Sequence, residues 1–119
     1  MSEQKIIILP WPPSQLSPNT RQHWAVTAKA KKLYRAACAT QARLQGLDRM
    51  AVNAVHLKLT FCPPTRHRFD LDNLLARMKS GLDGLADVIE VDDSRWTLEI
   101  SKADQVGGYV QVEITEKYA

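Results

Sequence analysis

A chain of 119 residues buries only about two thirds of the surface its unfolded form exposes, so one modest core and a single domain over residues 1–119 are expected. With 45% hydrophobic and 24% charged residues it is no disordered chain, and a formal net charge of +3 leaves a polyanion open as partner without requiring one. Cys38 and Cys62 form no Cys-x-x-Cys pair, which excludes a zinc ribbon or a redox motif.

Glu3 and Lys5 precede a short aliphatic run, Ile6 to Leu9, too brief for a signal sequence or a membrane span, so a cytoplasmic protein is expected. Halted by Pro10-Trp11-Pro12-Pro13, the run predicts a buried strand leading into a rigid extended segment. From about Thr20 to Leu44 the chain is rich in Ala, Lys, Arg and Leu and lacks Gly and Pro, which predicts a long helix ended by Gly46. Val55, Leu57, Leu59 and Phe61 alternate with His56, Lys58 and Thr60, the pattern of a strand with one buried face, until Pro63-Pro64 stops it.

Leu71, Leu74, Leu75, Met78, Leu82 and Leu85 recur at helical spacing and predict an amphipathic helix from about Asp72 to Ala86, with Asp72, Ala76, Lys79 and Asp83 on one flank. Trp96, Leu98 and Ile100, then Tyr109, Val110, Val112 and Ile114, predict two strands joined by a turn at Gly107-Gly108. The order β-α-β-α-β-β implies an α+β fold, a two-layer single domain with a mixed sheet and helices packed on one face.

Chemistry concentrates in Asp70-Leu71-Asp72-Asn73 and Asp92-Asp93, set among Arg66, His67, Arg68 and Arg95. Acids among cations in a basic chain suit a place where a divalent ion meets a polyanion, as in a metal-dependent nuclease. The alternative is that Asp70 and Asp72 only cap the second helix. Convergence of the two acidic blocks requires the loop after that helix, from about Asp87 to Val91, to double back. Hard oxygen donors favour Mg²⁺ or Mn²⁺ over zinc, and His23, His56 and His67 form no ligand pattern. An EF-hand fails, because counted from Asp70 its fifth, sixth and twelfth positions are Leu74, Leu75 and Gly81.

Three blocks in this order, Leu9-Pro10-Trp11-Pro12-Pro13-Ser14, Arg68-Phe69-Asp70-Leu71-Asp72-Asn73-Leu74 and Asp92-Asp93-Ser94, resemble the RusA-type Holliday-junction resolvases, small endonucleases common in prophages. The resemblance spans nearly the whole chain. It implies a RusA-like fold and a homodimer that binds four-way DNA junctions. With Mg²⁺ or Mn²⁺ it would cut two strands symmetrically in recombination and repair, leaving 5′-phosphate ends. By that resemblance Asp70, Asp72 and Asp93 are catalytic metal ligands, with Asp92 a neighbouring candidate.

The family usually carries a lysine four residues after the second motif aspartate, where this chain has Ala76. Lys79, on the same helical flank and leaning back toward Asp72, is the candidate catalytic substitute, its alternative being a solvated helix lysine. Two further departures are a longer stretch before Asn19 and a wider separation of the acidic blocks. Asn73 either orients a carboxylate, a metal-bound water or DNA, or is a polar residue of the first turn.

For DNA contact the sequence offers Arg66, His67 and Arg68 beside the acids, and Arg21, Lys29, Lys31, Lys32 and Arg35 from the first helix, part of which must be plain solvated surface. Trp11 and Trp24 are expected in the core or at a dimer seam rather than stacked on bases. A two-fold dimer suits the approximate symmetry of a junction. The rival reading is a non-catalytic or weakly catalytic branched-DNA-binding protein of the same fold, and a blander one is a small interaction domain with a helix-capping acidic patch.

Overall fold

The computed structural model describes residues 4–19, 21 and 23–117. The strands are β1 (Gln4–Pro10), β2 (Ala54–Cys62), β3 (Trp96–Lys102) and β4 (Tyr109–Lys117), and the helices α1 (Trp24–Leu44) and α2 (Leu71–Ile89). Short 3-10 turns lie at Ser14–Leu16 and Asp93–Arg95. Thr20, from which the sequence predicts the first helix, lies outside the described residues. The helix itself begins at Trp24, where His23 Nδ1 accepts from the Ala25 N–H at 3.2 Å and makes His23 a cap rather than a helical residue.

The four strands form one mixed sheet in the order β1-β4-β2-β3. β4 runs antiparallel to both β1 and β2, whereas β2 and β3 are parallel, with Val55 opposite Trp96, Leu57 opposite Leu98 and Leu59 opposite Ile100. Parallel neighbours need a long crossover, and α2 is that crossover. The chain is therefore α+β, with the two helices packed together over one sheet face. Ile7, Leu9, Val55, Leu57, Leu59, Phe61, Val110, Val112 and Ile114 bury their side chains under them. Along β2 and β3 the opposite face is polar, with His56 Nδ1 2.7 Å from Thr97 Oγ1 and Lys58 3.9 Å from Glu99.

α1 ends where the sequence predicts. Gly46 adopts φ +89°, its N–H bonds the Arg43 carbonyl at 3.0 Å and the Leu47 N–H bonds that of Ala42 at 3.0 Å, a glycine-terminated cap. α2 extends beyond the predicted Ala86 to Ile89 because Val88 and Ile89 are themselves buried, and Glu90 closes it in the left-handed region at φ 56°. Gly84 belongs to the helix contact, since a Cβ there would run into the Arg35 carbonyl of α1. Burial pushes the Cys38 thiol up to about 11, so this cysteine is packing rather than nucleophile. β1 is half-exposed rather than buried: as an edge strand covered on one face, it hides Ile7 and Leu9 and presents Ile6 and Ile8.

Candidate functional site

Asp70 sits just before the first residue of α2 in extended backbone (φ −86°, ψ 132°), and its carboxylate makes no capping bond. Its carbonyl instead accepts the Leu74 N–H at 3.0 Å and starts the helix. Asp72 lies in the first turn, where the helix dipole favours negative charge. Both side chains are exposed, and among the described residues neither enters an ion pair. The capping alternative therefore fails for Asp70.

At the far end of α2 the second acidic block divides. Asp92 caps the Asp93–Arg95 turn, accepting from the Ser94 N–H at 3.1 Å and from the Ser94 hydroxyl, and these bonds, with Arg95 nearby, hold its carboxyl below the usual carboxylate range. Asp93 carries no such engagement among the described residues and faces the groove between α2 and β3. That groove, a cavity of about 430 Å³, is bordered by Asp72, Ala76, Lys79, Asp83 and Asp93 over an apolar floor of Leu75, Leu82, Trp96 and Leu98. Trp96 is fixed there by its indole N–H, which donates to the Val91 carbonyl at 2.8 Å.

Asp72 and Asp93 share this groove without converging, and neither Asp70 nor Asp92 lines it. Among the described residues no three His, Cys, Asp or Glu side chains stand close enough together to hold a metal ion. The cause is the parallel pairing: α2 starts where β2 ends and finishes where β3 begins, so Asp70 and Asp72 occupy one end of the crossover and Asp92 and Asp93 the other. The loop that had to double back does not, because α2 continues through its expected start as far as Ile89. Asp72 and Asp83 alone are separated by about 16 Å of helical rise.

Arg66, His67 and Arg68 are exposed on the loop between β2 and α2. Lys102 joins them, its ammonium donating to the Phe69 carbonyl at 3.2 Å and lining one depression with Arg66 and His67. Sequence reading missed Lys102, although its place at the end of a strand parallel to β2 puts it at this rim. Asn73 is half-buried in the first turn of α2.

The first-helix cations are dispersed. Arg21 is exposed but precedes α1, because the helix starts only at Trp24. Lys29, Lys31 and Lys32 are exposed on α1, while Arg35 clamps Asp87 through two bonds of 2.8 Å, which lowers the Asp87 carboxyl and ties α1 to α2. Arg35 is thus a structural cation rather than a free phosphate contact. Trp11 packs edge-on against Phe61 and Phe69 with ring centroids 6.1 and 5.5 Å away, and the Arg77 guanidinium lies 5.9 Å above it. Trp24 is 76% exposed against His23 and belongs to no core. No helix is long and apolar enough to cross a membrane among the described residues.

Fold and groove define a small α+β protein whose crossover helix and edge strand enclose an acid-bordered cleft. No family model matches the chain. A protein of Xylella fastidiosa strain Temecula1, described as an uncharacterized protein, is 37% identical over 118 residues, which cover 97% of this chain and 77% of its own. The chain belongs to one family with that protein. A solved structure of IspF from Plasmodium falciparum in a CDP complex aligns with 97% of this chain and 91% of its own, at 8% identity and a TM-score of 0.37.

Proposed function

We propose that this protein is a RusA-type, metal-dependent endonuclease that acts on branched DNA, four-way junctions above all, as a homodimer. The observation that carries the reading is the state of Asp70 and Asp72, two exposed carboxylates held by neither a cap nor an ion pair, beside Arg66, His67, Arg68 and Lys102. Cations and a helix N-terminus draw a phosphate backbone to this end, and two free carboxylates would repel it unless a cation lay between.

Mg²⁺ is commonly held by one or two carboxylates, with waters and phosphate oxygens completing its shell, so Asp70 and Asp72 fit such an ion without a third acid from the same chain. When bound, Mg²⁺ or Mn²⁺ would lower the pKa of a water and stabilise the departing 3′-oxygen. Arg66, Arg68 and Lys102 orient the backbone through its phosphates, and Lys79 offers positive charge on the flank where Ala76 has none.

A second copy suits the groove. β3 is an edge strand and Leu98 is 43% exposed, and a two-fold axis through the middle of the cleft would exchange its ends. The Asp72 end of one chain then meets the Asp93 end of the other, which gives Asp93 a part in the same chemistry. The deciding experiment is a labelled synthetic four-way junction incubated with Mg²⁺, with nicks mapped on all four strands. Paired symmetrical nicks support resolution, whereas random nicks in duplex or no metal-dependent cutting overturn it.

Ala76 and the divided acids favour one second reading, a branched-DNA-binding protein of the same fold that cuts weakly or not at all. Ala76→Lys separates the two: a large gain in cleavage identifies impaired chemistry, and no gain leaves Lys79 and the acids sufficient.

A further inference from the structure

A second cavity, of about 410 Å³, lies on the other side of Lys79 from the acid groove, between the Ser14–Leu16 turn and the two helices. Its walls carry Ser17, Lys31, Arg77, Lys79, Ser80 and Asp83, so three cations face one carboxylate. Ser80 is only 8% exposed, yet its hydroxyl has no hydrogen-bond partner among the described residues. The same holds for the buried Arg77 Nε. Arg77 is fixed from its other side, where one terminal nitrogen donates to the Pro12 carbonyl at 2.6 Å and Trp11 lies under the guanidinium.

Buried donors without acceptors are uncommon in folded chains and point to a group that arrives from outside. The group that fits is an anion rich in acceptors. A phosphate can take the Ser80 hydroxyl and the Arg77 N–H together while Lys31 and Lys79 neutralise it. Burial also lowers the proton affinity of Arg77, a cost that a neighbouring anion offsets. Asp83 disfavours a doubly charged free phosphate more than the single charge of a phosphodiester.

We propose that this cavity is a phosphate subsite, built by Lys31, Arg77, Lys79 and Ser80, that holds a backbone phosphate of a DNA strand lying along the acid groove. The assignment of DNA as the source rests on the nuclease reading; the phosphate site itself does not. It gives Lys31 a role among the α1 cations, since it lines this cavity with the α2 side chains while Arg35 is engaged by Asp87.

Ser80→Ala and Lys31→Ala in the full chain test it, with junction binding measured in EDTA so that cleavage plays no part. Ser80→Ala is expected to raise thermal stability, because it removes an unpartnered hydroxyl, and yet to weaken junction binding about fivefold. Lys31→Ala is expected to reduce the salt slope of binding by about one. In the third arm the Arg77 Nε–H resonance is followed during titration with a tetrathymidylate and, separately, with inorganic phosphate at constant ionic strength. Saturable movement with the oligonucleotide at lower concentration supports a backbone phosphate. Movement with inorganic phosphate alone, in a protein that binds no DNA, keeps the anion site and overturns both its DNA source and the nuclease reading. Unchanged affinity and slope in both variants, with no movement of the resonance, overturns the subsite while junction cleavage can still stand.

Discussion

The side chain of Gln45 pairs with both backbone groups of Ile8, accepting its N–H at 2.7 Å and donating to its carbonyl at 2.6 Å. A single amide thus does for the outer edge of β1 what a neighbouring strand would do, at the point where Ile6 and Ile8 are exposed. Exposed edges with free N–H and C=O groups invite pairing with other chains. Gln45→Ala is expected to cost no more than about 1 kcal/mol of stability, since water can replace exposed bonds. Its main effect should be concentration-dependent self-association, read by light scattering, and an unchanged association profile would show that the amide does not guard this edge.

Gly84 sets the distance between the helices. Because its missing side chain makes room for the Arg35 carbonyl, a backbone atom that cannot rotate away, Gly84→Ala must push α1 and α2 apart. The expected loss is roughly 1–3 kcal/mol, the range for overpacking a close contact, despite the better helix propensity of alanine. Thermal unfolding checks the sign: a stabilised variant would mean that propensity outweighs the clash.

The period of the apolar residues made β2 and β4 legible, and composition with glycine chemistry did the same for the body of α1 and its end at Gly46, though not for its start at Trp24. What local pattern does not encode is whether Trp96 pairs in parallel or antiparallel with its neighbour. That one choice decides whether Asp93 meets Asp70 and Asp72 or lies at the other end of α2. The role of Gly84 is not legible either, because it depends on a carbonyl of another helix. Arg35 looked like a free cation because its partner Asp87 is 52 residues away in sequence. The place of Asp70 and Asp72 at the start of α2 is legible from the apolar period that follows them.

Arg35 holds the Asp87 carboxyl below its ordinary 3.8, first by its hydrogen bond and then by its charge. A carboxyl depressed in the folded state contributes stability above its unfolded pKa and loses it as pH falls through the folded value. The wild-type protein should therefore weaken as pH drops from about 4 into the acid range, and Asp87→Asn should flatten that limb. The pair is largely exposed, so the effect is small and screened by salt. Chemical denaturation at pH 7 and at pH 3 measures it; an equal pH slope in variant and wild type would place the acid sensitivity elsewhere, with Asp92 and its Ser94 bonds as the next site to test.

The four acids should separate by function. Asp70→Asn and Asp72→Asn each remove one hard ligand from the only free carboxylate pair at the start of α2 among the described residues, and should lower Mg²⁺-dependent junction cleavage by roughly 10²–10³-fold. Junction binding in EDTA should persist, since Arg66, Arg68 and Lys102 remain. Asp93→Asn should match that loss if two copies join their grooves end to end. Asp92→Asn should cost much less, because that carboxylate already serves Ser94. Mixing Asp72→Asn with Asp93→Asn protein is the sharper measurement. In a dimer with sites built from both chains, one site of each mixed dimer loses both acids and the other keeps both, so cleavage at a single strand returns. If each site is confined to one chain, the mixture stays inactive.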